Sequence, residues 1–406
     1  MARRLNRNWL AVAVIAAVSA AGVGVTALTA PSTHAHLTRT EATVRSEGVL
    51  SAAPGGVREA YSLRDDAVPG AYAPLAANGV VVTASGEEAT GTDASTGQAL
   101  WTYRRNVPIC STGIIDGAVA LTYATGIGCG EVTSIDLTEG TYKDGRAALA
   151  DAPEAVTPIQ SNSSVGLVST RRVELWRNDL VRTVEYGDVD VKQEPQFQPH
   201  EECTIDSALA RVEVLAVVET CADGTWLRIQ DAVPDDSRKP EITHDVLVPE
   251  GAHVVGVSKD STAVATASDY FTYSNESGQP MTTTKLGEAS VPDFTPPAPG
   301  LPFVPAVADL PHNISWYSNG TLYILHPTTL AMERTVGPTV GTGVVVGNTL
   351  LAPTREGIAR FDATTWEDQG TLPVDRHGYT GPVHLRAAGE ALVEKRGDAV
   401  VGLLAQ

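Results

Sequence analysis

The stretch Thr90-Gly91-Thr92-Asp93-Ala94-Ser95-Thr96-Gly97-Gln98-Ala99-Leu100-Trp101 decides how the chain is read. A strand runs into Asp-Ala-Ser-Thr-Gly, turns, and leaves as a second strand through Leu100, Trp101 and Tyr103. The Asp93 and Thr96 side chains can bond turn amides, and Gly97 can take a positive φ without a Cβ clash. Weaker echoes lie further along the chain: Asp136 to Gly140, with Thr141 and Tyr142 beyond; His326 to Leu330; and Asp362-Ala363-Thr364-Thr365-Trp366. Looser versions surround Trp176–Asp179, Asp231 and Ser274–Gly278. Asp93 and Asp136 lie 43 residues apart, and His326 and Asp362 lie 36 apart. A unit of about forty residues that holds four strands is a propeller blade.

The rest of the chain fits such a unit. Beyond residue 60, short runs rich in Val, Thr, Ile, Leu and Tyr alternate with Gly, Asp, Asn, Pro and Ser, the pattern of strands and turns. A helical turn around Lys143–Ala150 is the one exception expected. Blades are expected over 71–106, 107–150, 154–187, 203–250, 251–287, 303–337, 338–374 and 378–406. The last has room for only three strands, so the ring needs a fourth from Glu59–Leu63, which removes an exposed sheet edge. The fold class is therefore all-β, an eight-bladed propeller closed by an N-terminal strand. Seven blades stands as the alternative, because seven prolines crowd residues 288–311 and proline cannot donate within a central strand.

Three segments precede or form the ring. Residues 1–35 read as a signal peptide or membrane anchor: Arg3, Arg4 and Arg7 precede an uncharged apolar run from Trp9 to Ala30. That run is long enough to span a bilayer, and its basic flank places the downstream chain outside the cytoplasm. Residues 36–56, polar and unpatterned, read as a flexible tether, and 57–406 as the propeller. The protein is thus expected at the cell membrane with its propeller extracytoplasmic, or secreted if the signal is cleaved.

Cysteine usage agrees with export. Cys110 and Cys129 lie 19 apart, Cys203 and Cys221 lie 18 apart, and an even count in an oxidising compartment suggests two disulfides. Each joins the ends of a hairpin, so the two should staple different blades on the same face of the ring. A zinc site would need CxxC-type pairs, and there are none.

The turn formed by Asp93, Ala94, Thr96, Gly97 and Trp101 resembles the repeat of the pyrroloquinoline-quinone-like β-propeller family. Asp136 with Gly140, and Asp362 with Ala363 and Thr364, are degraded copies. The family includes the outer-membrane assembly lipoprotein BamB and quinone-dependent alcohol dehydrogenases, so the resemblance implies either a scaffold or a redox enzyme. The dehydrogenases brace their ring with regularly placed tryptophans and carry an adjacent cysteine pair. Here Trp101 follows its turn whereas Trp176 and Trp316 precede theirs, and no two cysteines are adjacent.

Other chemistry finds little support. There is no HExxH, GxSxG, P-loop or GxGxxG. His377 and His384 fall on different segments and read as surface residues. Asp188 and Asp190 could face a cation but equally form a solvated acidic loop with Glu201 and Glu202. With 48 acidic against 29 basic residues and a net charge of −19, nucleic acid is an unsuitable partner. The expectation is a protein without cofactor, metal or catalytic residue, a scaffold in cell-envelope assembly or transport that binds envelope or integral membrane proteins. A glycan or lipid-linked ligand is a further candidate, with Trp176, Trp226 and Trp316 as the aromatics to serve it. The favoured contact surfaces are the segment 292–311 and the loop Asp188–Glu202.

Overall fold

The computed structural model describes residues 2–148, 153, 155–189, 196–287 and 291–406. Eight antiparallel blades form the ring, and their innermost strands surround a central channel. Blade 1 comprises Leu75–Ala77, Val80–Ser85, Glu88–Asp93 and Ala99–Arg104; blade 2 comprises Ile109–Ile115, Ala118–Thr125, Gly128–Asp136 and Tyr142–Arg146. Blade 3 begins at Thr157–Gln160, blade 4 at Thr204–Arg211, blade 5 at His253–Val257, blade 6 at Ala306–Asp309 and blade 7 at Val344–Val346. In blade 8 the chain supplies Val383–Ala388, Ala391–Arg396 and Ala399–Ala405, and the outer strand is Val57–Arg64. It pairs antiparallel with the C-terminal strand, Val57 opposite Ala405 and Arg64 opposite Ala399. The eighth blade is complete and the seven-blade alternative falls.

The turn read from Asp93 recurs with one geometry. In blades 1, 2, 5, 6 and 7, the amide four residues after the turn's first residue donates back to that residue's carbonyl: Gly97 to Asp93, Gly140 to Asp136, Gly278 to Ser274, Leu330 to His326 and Trp366 to Asp362, at 2.8–3.0 Å. The fourth residue always has positive φ, from 54° at Leu330 to 74° at Gly97. Asp136 Oδ1 accepts from the amides of Thr138 and Glu139, and Asp362 Oδ1 from Thr364 and Thr365. His326 Nδ1 takes the same place, accepting from Thr328 at 3.2 Å and Thr329 at 3.1 Å. Asp93 Oδ1 accepts from Ser95, and its Oδ2 from Arg45. The two copies lacking glycine hold their left-handed residues by packing, which offsets the backbone strain: the Leu330 side chain is wholly buried in the core between blades 5 and 6, and Trp366 packs, partly buried, on a core cluster with Arg334 over its ring.

These turns receive the neighbouring blade. Trp101, on the outer strand of blade 1, lies over Gly91, where an added Cβ would fall 2.1 Å from the indole, and under Gly140 of blade 2. Its Nε1 donates to the carbonyl of Leu137, the residue after Asp136, at 2.7 Å. Tyr61 repeats the arrangement at the closure of the ring. It lies over Gly402 and against Gly97 of blade 1, and its hydroxyl donates to the carbonyl of Ala94, the residue after Asp93, at 2.8 Å. Burial, with the Asp93 carboxylate nearby, pushes the Tyr61 phenol well up, so it remains a donor. Between blades 5 and 6, Tyr270 donates to the carbonyl of Leu330. Other joints use charged groups: Arg376 grips Glu394 of blade 8 and two carbonyls of blade 7, and Glu219 of blade 4, held by Arg228 of its own blade, accepts from the Tyr186 hydroxyl of blade 3.

Two local expectations need correction. Tyr142–Arg146 is the outer strand of blade 2, not a helical turn; residues 149 and 150 lie outside the described residues. Part of the segment read as a tether is paired: His36–Arg39 adds a fifth strand to blade 1, against Trp101–Arg104. The residues after it cross the first turns of blades 1, 8 and 7. The Ser46 carbonyl closes over Gly79, Gly389 donates to Gly48, and the Ser51 carbonyl sits over Gly347. Short polar residues gave no periodic signal there, yet their backbone groups supply the pairing.

Removing the wedge should loosen one blade joint. Trp101→Ala is expected to cost about 3–5 kcal/mol, as for other buried aromatics, and Tyr61→Phe about 1–2 kcal/mol for an orphaned carbonyl. Urea unfolding followed by circular dichroism measures both; a loss below about 1 kcal/mol for Trp101→Ala would contradict the wedge.

Candidate functional site

Each blade's first strand runs in the same sense, so all connections between blades emerge on one face of the ring. The longest of them leave and enter on that face: from Gly187 to Thr204, from Lys285 to Ala306, and, at ten residues each, from Arg64 to Leu75 and from Arg146 to Thr157. Both disulfides lie there too. Cys203 precedes the first strand of blade 4 and bonds Cys221 at the end of the second, with Cα atoms 4.5 Å apart. Cys110 is the extra residue of a bulge in the first strand of blade 2 and reaches Cys129 in the third strand, with Cα atoms 6.2 Å apart. The opposite face carries the crossing N-terminal segment.

The segment 292–311 is less free than its prolines suggest. Phe294 stacks on His253 at 4.6 Å, Phe303 packs on both, and Leu301 is buried. Asp293 accepts from Thr295, and the Asp293 amide donates to Ser318 Oγ. Residues 295–300 remain as its partly or fully exposed tip. In the acidic loop, Asp188 pairs with Arg171, whereas Asp190 lies outside the described residues, so the pair with Asp188 gains no structural description.

The candidate ligand aromatics are mostly structural. Trp176 and Trp316 are buried within the blades, and Trp176 donates to Glu174. Trp226 is half-buried on blade 4, away from the channel, with Arg228 over its ring and its Nε1 on Asp223. The glycan reading loses its support. His200, Cys203 and Glu219 bring three donor types together, but the Cys203 sulfur is spent in its disulfide and Glu219 is held by Tyr186 and Arg228.

The ring axis encloses a cavity of about 390 Å³, lined from all round the ring. Its polar wall was not apparent in the sequence, because the inner strands show no common motif. Lys395 pairs with Asp65, whose other oxygen accepts the Ala84 amide at 2.8 Å. Across the ring, Arg211 pairs with Asp309. Gln160 Oε1 accepts the Ile114 amide at 2.8 Å, satisfying part of an inner-strand edge. His384, read from sequence as a surface residue, is instead 5% exposed and lines the cavity, while His377 is exposed beside Glu59 and Asp375. His384 Nδ1 accepts from the Thr342 amide at 3.2 Å and lies 3.0 Å from its hydroxyl. Burial, and then the charge of Lys395, lower its pKa to about 4. Burial lowers His253, beneath Phe294, to about 4 as well.

No family model matches the sequence, and no curated protein sequence matches it. In three dimensions the molecule is an eight-bladed β-propeller. It is similar to the crystal structure of BamB from Moraxella catarrhalis, with a TM-score of 0.51, 14% identity, and coverage of 86% of this chain and 99% of that one. A computationally designed protein, Ika8, matches at a TM-score of 0.49 and 12% identity. At these identities the likeness concerns the fold.

The histidines set a pH limit. A histidine free in the unfolded chain titrates near 6.5, so it takes up its proton there before the buried one does. The stabilising difference is present above that pH and is lost as pH falls toward 4. For His384 the loss is expected to reach about 3 kcal/mol, one pKa unit being 1.36 kcal/mol. Denaturant unfolding at pH 7, 5.5 and 4 should show a shallower decline in His384→Gln than in the parent; identical slopes would refute the assignment.

Proposed function

We propose that this protein is a non-catalytic propeller scaffold, held at the outer side of a membrane by its N-terminal helix and binding envelope or integral membrane proteins through the face that carries the connections between blades. The observation that carries this reading is the asymmetry of the ring. One face gathers the longest irregular connections on a frame stapled by two disulfides; the other is crossed by the chain's own residues 46–51. Long loops on a rigid frame are where recognition concentrates.

Three further features agree. Asn8–Thr29 forms an uninterrupted helical stretch with a mean hydropathy of 2.2 and none of its surface buried, which suits a signal anchor or a signal peptide. The disulfides suit an oxidising compartment. The fold resembles that of BamB, and the two cavity carboxylates, Asp65 and Asp309, are each bound to a cation. The domains are then residues 1–35 as anchor or signal and 57–406 as propeller, joined by a segment that is itself partly docked.

Crosslinking in intact cells, followed by affinity purification, tests the face. Because Phe294, Leu301 and Phe303 fill the core, the informative variant keeps them and replaces residues 295–300 with Gly and Ser. Loss of crosslinked membrane proteins is expected. An unchanged set, both in that variant and in one neutralising Glu201 and Glu202, would reject this face. Reduction offers a separate check: replacing Cys203 and Cys221 together by Ser should lower stability by about 3 kcal/mol and accelerate proteolysis of the 196–204 connection.

A further inference from the structure

The axial cavity has one charge too many. Its ionised lining consists of Asp65, Asp309, Arg211, Arg386 and Lys395, with His384 held neutral at pH 7. Lys395 and Arg211 each take one of the two carboxylates. Arg386, on the innermost strand of blade 8, has no hydrogen bond and no ion pair among the described residues; the Asp309 charge reaches it only at longer range. The side chain is exposed, and it lines the axial cavity. Desolvation by the cavity walls lowers its pKa, but a guanidinium stays charged at any physiological pH.

Among the charged residues of the cavity lining, Arg386 alone has no side-chain ion pair, whereas Lys395 holds Asp65 and Arg211 holds Asp309. Exposed to the lumen and unpaired, the guanidinium leaves its donors free for a solute. Its planar fork matches the two oxygens of a carboxylate or phosphate. The cavity volume falls in the range of small-molecule sites.

We propose that the axial cavity binds a small oxyanion, a carboxylate or phosphoryl compound, on the guanidinium of Arg386. The ligand would enter a lumen already neutralised elsewhere, so its charge is matched by one residue. Thr112 and Gln160 line the same cavity and offer neutral polar groups to the rest of the molecule. This site stands apart from the scaffold reading: proteins could dock on the outer face whether or not the lumen is filled.

The test is isothermal titration of the full-length protein in detergent with citrate and, separately, inorganic phosphate, at constant ionic strength set by sodium chloride. Saturable binding of at least one is expected; which one binds tells carboxylate from phosphoryl chemistry. Arg386→Gln should weaken it by about 10- to 100-fold, the usual size of a charge-assisted hydrogen bond. Its far-ultraviolet circular dichroism and unfolding temperature without ligand should match the parent. If Arg386→Gln does not fold, Arg386→Lys decides, since it keeps the charge and loses the fork; several-fold weaker binding is expected. Absence of saturable binding of either anion, or equal affinity in the substituted protein, would overturn the proposal.

Discussion

Strand Val57–Arg64 joins two parts of the chain separated by more than three hundred residues. A single propeller blade exposes two sheet faces and an open edge, so it gains stability only when flanked on both sides. Pairing of Val57–Arg64 with Ala399–Ala405 completes the last blade, and Tyr61 on that strand then docks on the first. The docking copies the Trp101 joint in detail: an aromatic over a glycine of its own blade, against the glycine of the next blade's turn, and hydrogen-bonded to the carbonyl after the turn aspartate. Closure at blades 8 and 1 therefore uses the same kind of contact as the joint between blades 1 and 2.

The same chain path makes the two faces unequal. Before forming the closing strand, the chain pairs on the rim of blade 1 and crosses the first turns of three blades. It thereby ties the apolar N-terminal helix to the rim of the ring by a few residues instead of a long free linker. The disulfides and the longest connections lie on the other face. A rigid frame, one covered face and one elaborated face together suit a protein that presents a surface, and the lumen adds a separate polar compartment whose charges are balanced except at Arg386.

How much could be read beforehand varies with the kind of signal. The Asp93 turn, its echoes at Asp136, His326 and Asp362, and the spacing of the cysteines are local features, each specified within about twenty residues, and they carried the blade count and the staples. Tyr61 was placed on the closing strand by topology alone; its partnership with Gly402 and Gly97 joins three distant positions and left no local mark. His384 looked like a surface residue because it and Arg386 alternate with Val383 and Leu385, as in a strand with one face in solvent. What buries it is the ring of neighbouring strands. The segment 36–56 lacked any pattern because its contacts are made mainly by backbone.

By itself the sequence determined the all-β class, the forty-residue unit, the turn chemistry and the apolar N-terminal span. Those rest on interactions between residues close in the chain, where side-chain type and spacing are enough. Only the tertiary structure decided which face is free, what lines the lumen and which charges there are paired. These depend on distances between strands of different blades, set by the closing of the ring and not by any one stretch of residues.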